Sequence, residues 1–146
     1  MKNLFRYFLP LTILALSSIN SAAEVINLTC DVSGTEKYTT GRIDRMHEMI
    51  SVEISETQQR TLIQGKGIDI SFVINTEKIL PGDRTYDESD SSKWKLRVVR
   101  PELNIASEIL IDRRAGNFAY ESNISGGMAS KFRGNCQKSD DNRRLF

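Results

Sequence analysis

The chain has 146 residues, of which 20 are basic and 19 acidic, and its formal net charge is +1 at pH 7. This length is typical of a single domain with one hydrophobic core. Proteins that bind nucleic acid normally carry a marked basic excess, so the near-neutral balance argues against a nucleic-acid partner.

The first 23 residues have the three parts of a secretory signal peptide. Lys2 and Arg6 form a positive start, residues 9–16 form an apolar stretch, and small residues precede a cleavage point before Glu24. A membrane anchor is the alternative, but spanning needs about 20 apolar residues and this run is shorter. Cleavage removes two of the 20 basic residues, which leaves 18 against 19 acidic ones. We therefore expect a periplasmic or secreted protein that does not span a membrane after signal removal.

The two cysteines of an exported chain are expected to form a disulfide. Cys30 shares one side of its strand with Leu28 and Val32, and Cys136 shares a side with Phe132. Both sulfurs would then face the interior, one on the first strand and one on the last. Closing a loop of about a hundred residues stabilises a fold by roughly 4–5 kcal/mol in the chain-entropy model.

In chain order, short runs of alternating apolar and polar residues predict strands. The first covers residues 24–34, and a polar connection follows. Ile43, Met46 and Met49 recur at a spacing of three, which suits either a short amphipathic helix or an irregular lead into a strand. Further strands are predicted over residues 50–55, 62–64, 68–75 and 94–98.

A long hairpin over residues 103–124 turns at residues 113–117, and a closing strand covers residues 129–137. Residues 83–92 are acidic and rich in serine, so we expect a mobile surface loop there. About seven or eight short strands without a long helical period predict an all-β fold. We expect a small antiparallel barrel or strongly curled meander with at most one short helix. A single β domain would cover residues 24–138, followed by a charged tail at residues 139–146.

Candidate catalytic groups are sparse. His47 is the only histidine, and on a helical turn it would share a face with Asp44, as a general base with an orienting carboxylate. No nucleophile or motif stands nearby, so a surface histidine among charges is the preferred interpretation. One histidine and two paired cysteines also exclude a conventional histidine-rich zinc site. We predict no catalytic residue, no metal site and no cofactor.

The acidic residues 83–90 could supply oxygen ligands to Ca²⁺, but they lack the spacing of an EF-hand loop, so a solvated loop is preferred. Arg113 and Arg114 at the hairpin tip, with Arg97 and Arg100 on the preceding strand, could contact a carboxylate or phosphate on a partner. The alternative is that charges at the tip only keep the turn solvated. Trp94, on the inward row of its strand, is expected in the core.

Residues 28–34, the strand with Trp94, residues 111–118 and residues 134–136 follow the signal in that order. This layout resembles small exported bacterial proteins of unknown function with a single disulfide-closed β domain. The resemblance implies a periplasmic β domain and transfers no catalytic residue.

Two functional hypotheses follow from the sequence. The first is a non-catalytic binding or interaction module, such as an inhibitor, an immunity-type partner or a carrier of a small apolar ligand. The second is a carboxylate-dependent hydrolase using Asp44 or Asp112. Export, a disulfide-closed β fold and the sparse catalytic groups favour the first.

Overall fold

A computed structural model of the protein describes residues 24–139. These residues form nine antiparallel strands and one short 3-10 turn. The predicted signal peptide and residues 140–146 of the predicted tail lie outside the described residues. The strands are β1 (Glu24–Lys37), β2 (Ile43–Glu56), β3 (Thr61–Lys66), β4 (Ser71–Asn75), β5 (Arg84–Asp87), β6 (Lys93–Arg100), β7 (Ile105–Asp112), β8 (Asn117–Ile124) and β9 (Met128–Lys138).

All nine strands belong to one sheet in the order β4-β3-β2-β1-β9-β8-β7-β6-β5. Every neighbouring pair is antiparallel, and the sheet curls strongly into a half-barrel. The first and last strands are paired with each other at the centre of the sheet, with Cys30 opposite Cys136. The edges are the short strands β4 and β5.

The predicted disulfide is present between Cys30 and Cys136, and both residues are buried. The bond joins β1 and β9 at the middle of the sheet. Its position is central because each half of the chain folds outward from the β1–β9 pair.

The core is formed by the inward row of each strand, as the alternating pattern predicts. Phe72 from β4 lies across the interior and stacks on Tyr120 of β8, with ring centroids 4.4 Å apart. Tyr120 in turn stacks on Phe132 of β9 at 6.2 Å. Trp94 is buried, as expected. Aromatic rings therefore occupy the inside of the half-barrel.

The structure decides one segment that the sequence pattern left open and differs from the prediction at two others. Residues 43–49 are part of β2, so the spacing of three among the apolar residues there does not mark a helix. The alternating pattern predicts Ile68 in a half-buried strand, but it lies 94% exposed in the turn before β4. β5 forms within the predicted acidic loop because its backbone pairs with β6 from Arg84 to Asp87.

Asp83, at the start of that loop, is buried rather than solvated. Its Oδ2 accepts hydrogen bonds from the backbone N–H groups of Ile79 and Leu80, both at 3.0 Å, and lies 3.5 Å from Nε of Arg100. Burial by itself would raise the pKa of Asp83, but these two bonds and the charge of Arg100 lower it below its ordinary value. Asp83 therefore anchors the loop as a buried carboxylate.

Polar side chains bridge the two outer parts of the curled sheet. Thr61 of β3 donates to Asp87 of β5 at 2.8 Å, and Arg100 of β6 donates to the carbonyl of Asn75 at the end of β4, at 3.3 Å. Ser139, assigned to the charged tail, is held against β1 through the carbonyl of Asn27. Within residues 24–139, no helix is long and apolar enough to cross a membrane.

Candidate functional site

The turn between β7 and β8, residues 113–116, is pinned to the disulfide-bearing strand. Oδ1 of Asp112 accepts the backbone N–H groups of Arg114 and Ala115 at 2.7 and 2.6 Å. The N–H of Cys136 donates to the carbonyl of Gly116 at 2.7 Å. Gly116 has φ +71°, and a Cβ there would lie 2.2 Å from the carbonyl oxygen of Cys136. We call residues 113–116 the arginine turn, and its backbone position is closely defined.

Arg113 is held in place by two residues of other strands. Its Cζ lies 4.0 Å from the centroid of the Trp94 ring, and its Nη2 donates to Oε1 of Glu56 at 3.1 Å. The same carboxylate oxygen accepts the indole N–H of Trp94 at 2.7 Å. A cation stacked on tryptophan is stabilised by about 1 kcal/mol. The three side chains therefore form one connected unit with the Arg113 guanidinium partly exposed.

Beside this unit is a cleft of about 390 Å³. Apolar side chains of Leu28 and Trp94 line it, and the disulfide borders it through Cys136. Arg114 and Lys138 line the same cleft, and both are exposed. We call this feature the arginine cleft.

Two carboxylates near the cleft, Asp87 and Asp112, have pKa values lowered by bonds that they already accept. Burial opposes ionisation of Asp87, yet hydrogen bonds from Ser89 and Thr61 and the charge of Arg113 hold its pKa below the ordinary value. The backbone N–H groups of Ala115 and Arg114 lower the pKa of Asp112. Because Glu56 pairs with Arg113, the least neutralised cations at the cleft are Arg114 and Lys138. The site can therefore receive an anionic group.

The four predicted partner-binding arginines do not form one patch. Arg113 and Arg114 lie at the arginine turn. Arg97 lies on the outer face of β6, stacked over Tyr86 at 5.8 Å. Arg100 is mostly buried against Asp83, and it lies six residues from Trp94, roughly 20 Å along an extended strand. Arg97 is separated from the turn because its side chain points to the outer face of β6. Arg100 is separated because it is mostly buried at the far end of the strand.

His47 pairs with a residue other than the predicted one. In a strand, Asp44 and His47 point to opposite faces. Nε2 of His47 instead lies 2.7 Å from Oδ1 of Asp31 on the neighbouring strand β1, and both side chains are more than half exposed. Asp44 bonds Arg42, with Nε to Oδ1 at 2.9 Å.

The carboxylates that a hydrolase would use have separate local partners. Asp44 is paired with Arg42, and Asp112 caps the arginine turn. The acidic loop behaves similarly, since Asp90 accepts the N–H and hydroxyl of Ser92. Among residues 24–139, no group of three or more histidine, cysteine or acidic side chains is placed to hold a metal ion.

Sequence reasoning missed Glu56 and Lys138 as part of this site. Glu56 is 57 residues from Arg113 in the chain, and its inward position at the end of β2 was the only available signal. Lys138 follows Cys136 on the same side of β9, so the predicted disulfide could have located it beside the turn.

Comparison with protein-family models, with curated proteins and with solved structures finds no significant match to this chain.

Proposed function

We propose that the chain is a periplasmic or secreted, non-catalytic binding module whose arginine cleft receives an acidic group of a protein partner. The observation that carries this proposal is that two exposed cations, Arg114 and Lys138, line one cleft beside the Trp94–Arg113–Glu56 unit. Guanidinium and ammonium groups donate charge-assisted hydrogen bonds to carboxylates, and the fixed backbone of the arginine turn lowers the ordering cost of binding there. The disulfide is consistent with a location outside the cytoplasm.

The packed interior supports this proposal over a carrier of a small apolar ligand. A carrier needs an internal cavity. Here Phe72 and Phe118 approach to 5.8 Å, and Phe72 also stacks on Tyr120, so rings from both halves of the sheet fill the centre. A ligand would have to displace these side chains, whereas a protein partner needs only the exterior.

The test measures binding of a fluorescent peptide of six glutamates by anisotropy at low ionic strength. We expect Arg114→Gln and Lys138→Gln each to weaken binding by about two- to fivefold, the range of one solvent-exposed ion pair. Arg97→Gln is the matched control, because it removes the same charge from the outer face of β6. Binding should also weaken with added salt.

Equal affinity of all three variants and the unaltered protein would show that the cleft is not the site. No binding of the acidic peptide at low ionic strength would refute the proposal. Full competition by millimolar inorganic phosphate would indicate a small-anion ligand and overturn the protein-partner assignment.

A further inference from the structure

The edge strand β4 has unpaired backbone groups. The hydrogen bonds from Thr76 N to Thr61 O, at 3.1 Å, and from Gly67 N to Ile70 O, at 2.7 Å, set the register of the β3–β4 ladder. In this register the even-numbered residues of β4 bond to β3. The N–H and C=O groups of Ser71, Val73 and Asn75 therefore point to the open edge.

Among residues 24–139, the one hydrogen bond to these edge-facing backbone groups comes from Arg100, to the carbonyl of Asn75. The backbone groups of Ser71 and Val73 have no protein partner within that range. Both residues are exposed, Val73 to 61%. Their donors and acceptors recur at the two-residue spacing that another antiparallel strand would match.

β4 is short, but it lacks two other features that protect an open edge, charged residues and proline. Its five residues, Ser-Phe-Val-Ile-Asn, include no charge and no proline. Natural proteins usually place charged residues or proline on an exposed edge to prevent pairing. The opposite edge, β5, carries both Arg84 and Asp87. The contrast singles out β4 as the edge available for strand pairing.

The strand is complementary to itself. Val73 is the central residue of β4, and the edge-facing residues on either side of it are the polar Ser71 and Asn75. In an antiparallel copy Val73 would face Val73, and Ser71 would face Asn75. Ile68 precedes the strand and Ile79 follows it, and both are exposed. In this pairing Ile68 of one copy and Ile79 of the other would lie at the same end of the interface.

We propose that two copies of this chain form a symmetric dimer by antiparallel pairing of their β4 edges, centred on Val73. The proposal is independent of the arginine cleft. The strand is short, roughly 17 Å, so the interface lies at the small end of specific contacts. We expect a dissociation constant on the order of 10–100 µM.

Sedimentation equilibrium on the oxidised protein from about 5 to about 500 µM should show the mass rise from monomer to dimer. Over the same range, amide hydrogen exchange of Ser71 and Val73 should slow by about three- to sevenfold, because their N–H groups become bonded as the monomer fraction falls. Phe72 and Ile74 are internal controls, because their amides already bond to β3. A monomer at all concentrations, with unchanged exchange at Ser71 and Val73, would overturn the proposal.

Charge substitutions test whether the contact is between two copies at Val73. Val73→Lys and Val73→Glu should each remain monomeric, because like charges would face each other. An equimolar mixture of the two should dimerise again. Val25→Lys makes the same substitution at an exposed position of the same face, opposite Ser55 and three strands from the edge, and should dimerise normally. A mixture that stays monomeric, or a Val73→Lys protein that dimerises like the unaltered one, would show that another surface or another protein's strand is involved.

Discussion

Cys30 and Cys136 are 106 residues apart in the chain and face each other as cross-strand partners at the centre of the nine-stranded sheet. The bond joins the two strands from which both halves of the sheet extend. The backbone of Cys136 also holds Gly116, so the same strand positions the arginine turn. The disulfide therefore supports the core and the candidate site together.

Replacing both cysteines by alanine should lower the free energy of unfolding by about 4–5 kcal/mol, from the lost constraint on the unfolded chain. Urea denaturation monitored by Trp94 fluorescence measures this. The unaltered protein unfolded with and without a reductant provides the control, since reduction alone should give most of the loss. A change below about 1 kcal/mol would contradict the central role of the bond.

Gly116→Ala should destabilise the protein by about 2 kcal/mol or more and weaken acidic-peptide binding. The new Cβ would meet the carbonyl oxygen of Cys136, in addition to the strain of φ +71°. Gly41→Ala is the matched control, because Gly41 has φ +83° with nothing within 4 Å of the new Cβ. It should cost only about 1 kcal/mol and leave binding unchanged. Equal losses in the two variants would show that the contact with Cys136 is unimportant.

Phe72→Ala should lower the free energy of unfolding by about 3–5 kcal/mol, because the ring lies between the two halves of the core. Its neighbour Val73 points outward, so Val73→Ala should change stability by less than about 0.5 kcal/mol. Both are measured by denaturant unfolding at low micromolar concentration, where we expect monomers. A small effect at Phe72 would mean that the interior is loosely packed.

Asp90 should contribute a stabilisation that disappears in acid. The hydroxyl and N–H of Ser92 lower its pKa from 3.8 to about 2. Because the folded pKa lies below the unfolded one, the contribution is complete above pH 3.8 and is lost as the pH falls towards 2. Melting temperatures of the unaltered protein and Asp90→Asn should therefore differ at pH 5 and converge near pH 2. A difference that stays constant over this range would contradict the assignment.

The positions of most strands followed from local patterns. The hairpin around the arginine turn and the inward side of Trp94 were predicted because alternation along a strand places neighbouring side chains on opposite faces. The same reasoning failed for β5, whose residues are polar. β5 forms because β6 offers a backbone ladder beside it, and such pairing leaves little trace in a short polar segment.

The candidate site likewise combines features that the local sequence predicts with contacts that only the fold creates. The sequence by itself determined the pair Arg113 and Arg114 at a turn, and the inward orientation of both cysteines, because these depend on residues close together in the chain. Only the tertiary structure decided that Glu56 accepts a hydrogen bond from Arg113 and that the buried Asp83 pairs with Arg100. These contacts join residues on different strands, and their geometry depends on the order and curl of the sheet, which local alternation does not specify.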